Sequence, residues 1–203
     1  MENYPRRGHF EYFSKMPDPY FGVTVNVDVT ELAVFCKREK ASFYLSFIHA
    51  AALAANAVPE LRQRICGGKI VEYDFCETSH IELAADGTYC YCSLRHDMAW
   101  KEYLSYAAEK RADCLRDPGI EEDDDAEGQF FVTALPWLHY SSLTLPTNDG
   151  FASNPRFACG KYEADADGRL QLPVTVMANH ALADGLHIAK FYENLNKEIA
   201  KLT

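Results

Sequence analysis

Much of what would give this chain an obvious function is missing from it. No apolar run approaches the roughly 20 residues needed to cross a bilayer. No apolar h-region follows Met1-Glu2-Asn3-Tyr4-Pro5-Arg6-Arg7, so a secretory signal is not expected and a cytoplasmic protein is. There is no G-x-G-x-x-G and no Walker A sequence, which removes the usual loop-to-helix cradles for nucleotide phosphates. The seven cysteines are odd in number and scattered, and none forms a C-x2-C knuckle, so a zinc ribbon is not supported. They are expected to be reduced and mostly buried as small apolar residues. Positive charge is scarce: 20 Lys and Arg against 30 Asp and Glu leave a net charge of −10. Nucleic acid and anionic membranes are therefore poor partners, because neutralising phosphates needs clustered cations. An anionic cofactor would need a local cationic spot. No repeat or low-complexity linker divides the chain. The one sharp composition shift, Glu121-Glu122-Asp123-Asp124-Asp125 after Asp117-Pro118-Gly119, reads as a turn and a solvated acidic loop rather than a metal site.

What is present suits one globular domain over residues 1–203, with 48% apolar and 25% charged residues. Residues 21–29 alternate apolar and polar as a half-buried strand does. Thr30 is placed as N-cap of a short helix to about Lys37, and Ser42 as cap of an apolar helix over 43–57 that Pro59 stops. Strands are predicted around 69–74, 80–84 and 88–94, with Asp86-Gly87 as a hairpin turn, and Cys90 and Cys92 on one strand face. An amphipathic helix over 99–116 follows. Strands are then expected at 129–134, 138–144, 156–163 and 170–178, the last pair turned by Asp167-Gly168, and a closing helix runs from Gly185 to Lys201. Helices interspersed among hairpin-linked strands, without βαβαβ alternation, predict an α+β fold: a two-layer sandwich with a mixed, mostly antiparallel sheet.

The sharpest local feature is Val174-Thr175-Val176-Met177-Ala178, a buried-strand pattern, running into Asn179-His180-Ala181-Leu182-Ala183-Asp184-Gly185-Leu186-His187. An imidazole at a strand end, before a turn holding Asp and Gly, is fixed by the scaffold yet able to face a cleft, as a general base must. By itself the pattern is better read as a satisfied structural histidine hydrogen-bonded at a helix start, with Asp184 as the helix N-cap. A metal site from His180, Asp184 and His187 lacks a H-E-x-x-H frame.

The segment His180 to His187 resembles the His-His-Ala-x-x-Asp-Gly-(Phe/Tyr)-His signature of the chloramphenicol acetyltransferase family. Further segments resemble that family in order. They are Arg6 to Phe13, Val27-Asp28-Val29-Thr30, Ser42 to His49, Pro59-Glu60-Leu61-Arg62, Phe130-Phe131-Val132-Thr133-Ala134-Leu135-Pro136-Trp137, and Gly160-Lys161-Tyr162. The resemblance implies a CoA-dependent acyltransferase, assembled as a homotrimer with active sites at subunit interfaces. It moves an acetyl group from acetyl-CoA to a hydroxyl of chloramphenicol by direct attack, with His180 as base and no metal. It also implies roles for other residues. Thr133 takes the place of a serine that binds the oxyanion, and Asp184 pairs with Arg6. Tyr44, Lys161 and Tyr162 lie near the coenzyme, and Phe13 and Leu145 near the acceptor. Taken without the resemblance, Thr133 is a plain strand residue, Lys161 a surface lysine and Arg6 a solvated terminal arginine.

Departures accompany the likeness. Asn179 stands at the first signature histidine, Leu186 at the aromatic, and Ala158 at a threonine beside the oxyanion. Ser42 stands where a lysine is frequent, and Pro118-Gly119-Ile120 where the acceptor pocket is aromatic. They keep open two other outcomes: an acyltransferase for a different small alcohol or amine, and a non-catalytic trimeric binding protein.

Overall fold

The computed structural model describes residues 4–120, 126–147 and 153–203, so the acidic run Glu121 to Asp125 lies outside the described residues. The chain opens with a short helix, α1 (Arg7–Phe13), then strand β1 (Tyr20–Asp28) and helices α2 (Thr30–Glu39) and α3 (Phe43–Asn56). Pro59–Arg62 makes a 3₁₀ turn before β2 (Gln63–Cys66) and β3 (Lys69–Glu72), which pair only with each other. Then come β4 (Glu77–Leu83), β5 (Tyr89–Leu94), α4 (Trp100–Arg116), β6 (Gln129–Ala134), β7 (Arg156–Cys159), β8 (Glu163–Ala164), β9 (Leu170–Asn179) and α5 (Gly185–Leu202).

Among the described residues, seven strands form one sheet in the order β1-β9-β7-β6-β4-β5, with β8 paired to β9. The β1/β9, β7/β9 and β4/β5 pairs are antiparallel, whereas β4/β6 and β6/β7 are parallel. The expected mixed, mostly antiparallel α+β sheet is thus present. Because side chains alternate across a strand, register sorts the two faces. Phe130, Val132, Phe157, Val174 and Val176 point into the main core with Leu32, Ile48, Phe191 and Leu195 from the helices. Phe131, Thr133, Arg156, Ala158, Thr175 and Met177 point the other way.

Several boundaries differ from expectation for identifiable reasons. Helix α2 begins at Thr30 itself. Its hydroxyl is held by Asp28 Oδ1 at 2.6 Å and accepts the Leu170 amide at 2.8 Å, so it ties the helix to β9 rather than capping it. Ser42 does cap α3, through the Leu45 amide at 3.3 Å. Residues 138–144 form no strand. Pro136 lacks an amide hydrogen, and among the described residues the Leu138 carbonyl meets the Lys161 amide at 2.7 Å without a ladder continuing along the segment. The predicted strand 156–163 breaks at Gly160, where a Cβ would lie 2.5 Å from the Leu138 carbonyl and 2.7 Å from the Pro173 ring. The cysteine expectation needs correction too. Cys90 and Cys114 form a disulfide between β5 and α4, because alternation turns Cys90 inward under the helix; Cys36, Cys76, Cys92 and Cys159 are buried thiols, and the Cys66 thiol is half-buried.

Candidate active site

The turn between β9 and α5 is built by short polar side chains. Asn179, buried at the strand end, accepts the Ala181 amide at Oδ1 (3.0 Å), and its carbonyl accepts the Leu182 and Ala183 amides. This is the self-bonding that suits Asn to turns. Asp184 then caps α5, accepting the Leu186 amide at 3.0 Å, while His187 Nδ1 accepts the Asp184 amide at 3.0 Å. The His187 Nε2 lies 3.4 Å from Glu60, so that ring braces the helix start and is turned away from His180.

His180 stands at the head of this turn, its amide fixed to the Pro19 carbonyl at 2.8 Å. Its ring is clamped between two phenyl groups: Phe13 stacks at 3.9 Å and 5°, and Phe21 tilts against the other side at 4.5 Å. Two such aromatic contacts fix ring orientation without consuming either nitrogen in a hydrogen bond. Phe13 ends α1, whose Phe10 is buried with Ala181 and Leu182 beneath the turn. Arg6, just before that helix, pairs with Asp184. Burial of the Asp184 carboxyl opposes its ionisation, but the Arg6 hydrogen bond, the His187 ring and the Leu186 amide outweigh burial and hold it below the ordinary carboxylate range. The pair therefore bolts the N-terminal helix to the histidine turn.

Thr133 belongs to a different surface. It faces Ala158 on β7 and helps line a cleft of about 330 Å³ bounded by Ser79, Tyr91, Phe131, Leu145 and Arg156, while His180 is not among the described residues lining it. Phe21, against which His180 packs, pairs with Ala178 and so shares the helix-covered face. Thr133 lies on the opposite face. One chain thus holds the imidazole and the threonine hydroxyl on opposite sides of one sheet. Leu145 borders the threonine cleft and is anchored by its amide to Met177 Sδ at 3.3 Å. The 118–120 segment reaches the same neighbourhood, with the Gly119 carbonyl accepting the Tyr91 amide at 3.0 Å.

The remaining candidates gather at the start of α3. Tyr162 packs edge-on against Phe43 at 5.0 Å. Lys161 is exposed, with Glu163 3.4 Å from its ammonium. Tyr44 turns its hydroxyl inward, where the oxygen is buried without a partner. The sequence reading missed Phe21, Glu60 and Arg156. Only Arg156 left a signal, as a charged residue in an otherwise apolar short strand, Arg156-Phe157-Ala158-Cys159.

Comparison with known proteins bears on the family and the fold. The chloramphenicol acetyltransferase family model matches residues 1–196. A chloramphenicol acetyltransferase of Klebsiella sp is 28% identical over 197 residues, covering 95% of this chain and 88% of that protein. Chloramphenicol acetyltransferase 3 of Escherichia coli is 29% identical over 205 residues, covering 97% and 93%. Among solved structures, a chloramphenicol acetyltransferase superposes with a TM-score of 0.85 at 23% identity, over 98% of this chain and 96% of that one. A probable dihydrolipoamide acetyltransferase from Listeria monocytogenes gives 0.71 at 19% identity, over 97% and 90%.

Proposed function

Since the chain belongs to the chloramphenicol acetyltransferase family and is an acyltransferase, we propose that it transfers the acetyl group of acetyl-CoA to the hydroxyl of a small acceptor, with His180 as general base. The observation that carries this is the mounting of His180: a strand-end imidazole clamped by Phe13 and Phe21 over a turn bolted by Arg6 and Asp184. An alcohol is a poor nucleophile at neutral pH, and a positioned base is worth about 10²–10⁴-fold. The imidazole takes the hydroxyl proton as the oxygen bonds to the thioester carbonyl carbon. The tetrahedral oxyanion accepts a hydrogen bond from the Thr133 hydroxyl. Collapse breaks the carbon–sulfur bond, and the departing thiolate takes the proton back from the imidazolium. Asp184 takes no proton; it positions the turn. Lys161 serves the anionic nucleotide end of the cosubstrate, with Tyr44 and Tyr162 beside it.

The opposed faces of His180 and Thr133 favour a homotrimer in which each site takes His180 and Phe13 from one copy and Thr133 and Leu145 from the next. Residues 1–203 act as one domain in this proposal, supported by pairing of the first strand with the last long one. Chloramphenicol is the first acceptor to try, because it is in the names of the relatives. A different small alcohol or amine is the second reading, favoured by a specific observation: the cleft beside Thr133 contains a charged residue, Arg156. The joint presence of His180, Asp184 and Arg6 weighs against a non-catalytic binding protein. The test is thiol release from acetyl-CoA with chloramphenicol and a panel of alcohols. His180→Ala is expected to lower turnover by about 10²–10⁴-fold with assembly and melting temperature preserved; near-wild-type turnover would remove His180 as the base.

A further inference from the structure

Two arginines are buried, Arg64 on β2 and Arg156 on β7, and they are treated differently. Arg64, 1% exposed, is saturated: its guanidinium donates to the carbonyls of Leu61, Gln63, Glu127 and Gln129 at 2.6–3.0 Å. Arg156, 8% exposed on β7, is not. Its Nε and Nη2 are buried with no hydrogen-bond acceptor, and no described carboxylate lies within ion-pairing distance. Its guanidinium sits 5.6 Å from the Tyr20 ring centre and 5.3 Å from that of Phe131. Those rings hold it in place but leave in-plane N–H groups unused. Tyr20 supplies no counter-charge: burial pushes its phenol up to about 12, although the charge of Arg156 and a hydrogen bond from it pull the other way, and that one contact leaves Nε and Nη2 unmatched. Its hydroxyl donates to the Asn154 carbonyl instead, and Asp18 is occupied by the Tyr20 amide at 3.2 Å.

An unpaired buried cation is costly, and a planar fork of donors is matched best by a carboxylate or phosphate. Arg156 lines the cleft that Thr133 lines, and Phe131, directly across from Arg156, separates it from Thr133 by two residues along β6. We propose that Arg156 is the acceptor-recognition residue of the site, and that the acceptor hydroxyl compound carries an anionic group, a carboxylate or phosphate, bound by this guanidinium. Tyr89, Tyr91 and Phe131 around it suit a flat or apolar body between the anion and the hydroxyl. The proposal rests on the acyl-transfer reading above for the fate of the hydroxyl, though not for the anion site itself.

The test uses the purified full chain with acetyl-CoA and two matched acceptor pairs: 3- and 4-(hydroxymethyl)benzoate, each beside its neutral methyl ester. The acids are expected to exceed the esters in kcat/KM by about 10–100-fold, the usual worth of hydrogen bonds to a charged group. Arg156→Leu is expected to erase that ratio mainly through KM, and Arg156→Lys to keep part of it. Calorimetric titration with benzoate, and with neutral benzamide as control, reads the anion site without turnover. Benzoate binding that is lost in Arg156→Leu supports the site even if no alcohol is acetylated, an outcome that would sink only the acyl-transfer reading. Equal rates on acids and esters, better turnover of neutral chloramphenicol than of either acid, or no benzoate binding to wild type would each overturn the proposal. Should Arg156→Leu fail to fold, the wild-type acid-to-ester ratio and Arg156→Lys decide it.

Discussion

Thr133 places a single hydroxyl on the open face of β6, and its neighbour across the strand is an alanine with none. In the proposed mechanism, with no second hydroxyl at Ala158, the oxyanion would depend on Thr133 more heavily. Thr133→Val, which keeps the β-branched shape and removes the donor, is expected to cut kcat by about 10²–10³-fold. Thr133→Ser should retain most of it, and steady-state kinetics with unchanged melting temperatures would separate the two. Arg6 acts at one remove. Asp184 is held below its ordinary pKa, so its contribution to the turn is fully present above the unfolded-state value of about 3.9 and is lost as pH falls below that through the folded value. Arg6→Ala removes the hydrogen bond that overcomes burial. The acid limb of stability should then move to higher pH, read by unfolding of the variant across pH, together with a fall in kcat read by steady-state kinetics. An unmoved limb would mean the pair does not position the site. At this scale the sequence was informative about His180 and Asp184, whose strand-end and N-cap patterns are local. It was silent on Phe21, which meets His180 only because β1 pairs with β9.

Helices and long strands were legible wherever periodicity is strong. Helix α3 keeps its Ser42 cap, α4 runs Trp100–Arg116 against an expected 99–116, and β9 runs Leu170–Asn179 against 170–178. The failures share a cause: their structure is decided by non-local contacts. Helix α1 is too short to announce itself, yet it carries Phe13 and follows Arg6, so an element absent from the sequence reading supplies half of the histidine clamp. Residues 138–144 have strand composition but lie across the sheet rather than in it, with the Tyr140 hydroxyl 3.3 Å from that of Thr175. Gly160 permits that crossing. Gly160→Ala should lift the Leu138–Tyr140 crossing off β9, since the clash is with backbone as well as side chain. Destabilisation of roughly 1–3 kcal/mol is expected, measurable by denaturant unfolding, together with faster amide exchange at Lys161.

For the whole molecule, the decisive relation is between faces. With the roles proposed above, His180 on one side of the sheet and Thr133 on the other would require sites shared between copies. Co-expressing His180→Ala chains with Thr133→Val chains should therefore restore activity that neither has alone. In a cyclic assembly with random mixing about a quarter of the sites would combine an intact histidine with an intact threonine. Mixtures as inactive as the separate variants would place both residues within one chain's site.

The same arrangement sets an order of events in the life of each chain. On the proposed mechanism, a newly folded copy holds its imidazole clamped but meets the Thr133 hydroxyl only across an assembly contact, so it would discharge the thioester poorly onto water or a stray alcohol. Catalytic competence would then begin only at assembly, and specific activity is expected to decline on dilution into the nanomolar range as copies part. On that reading the sheet's two sides, by keeping base and hydroxyl apart, would safeguard acetyl-CoA until a complete enzyme exists.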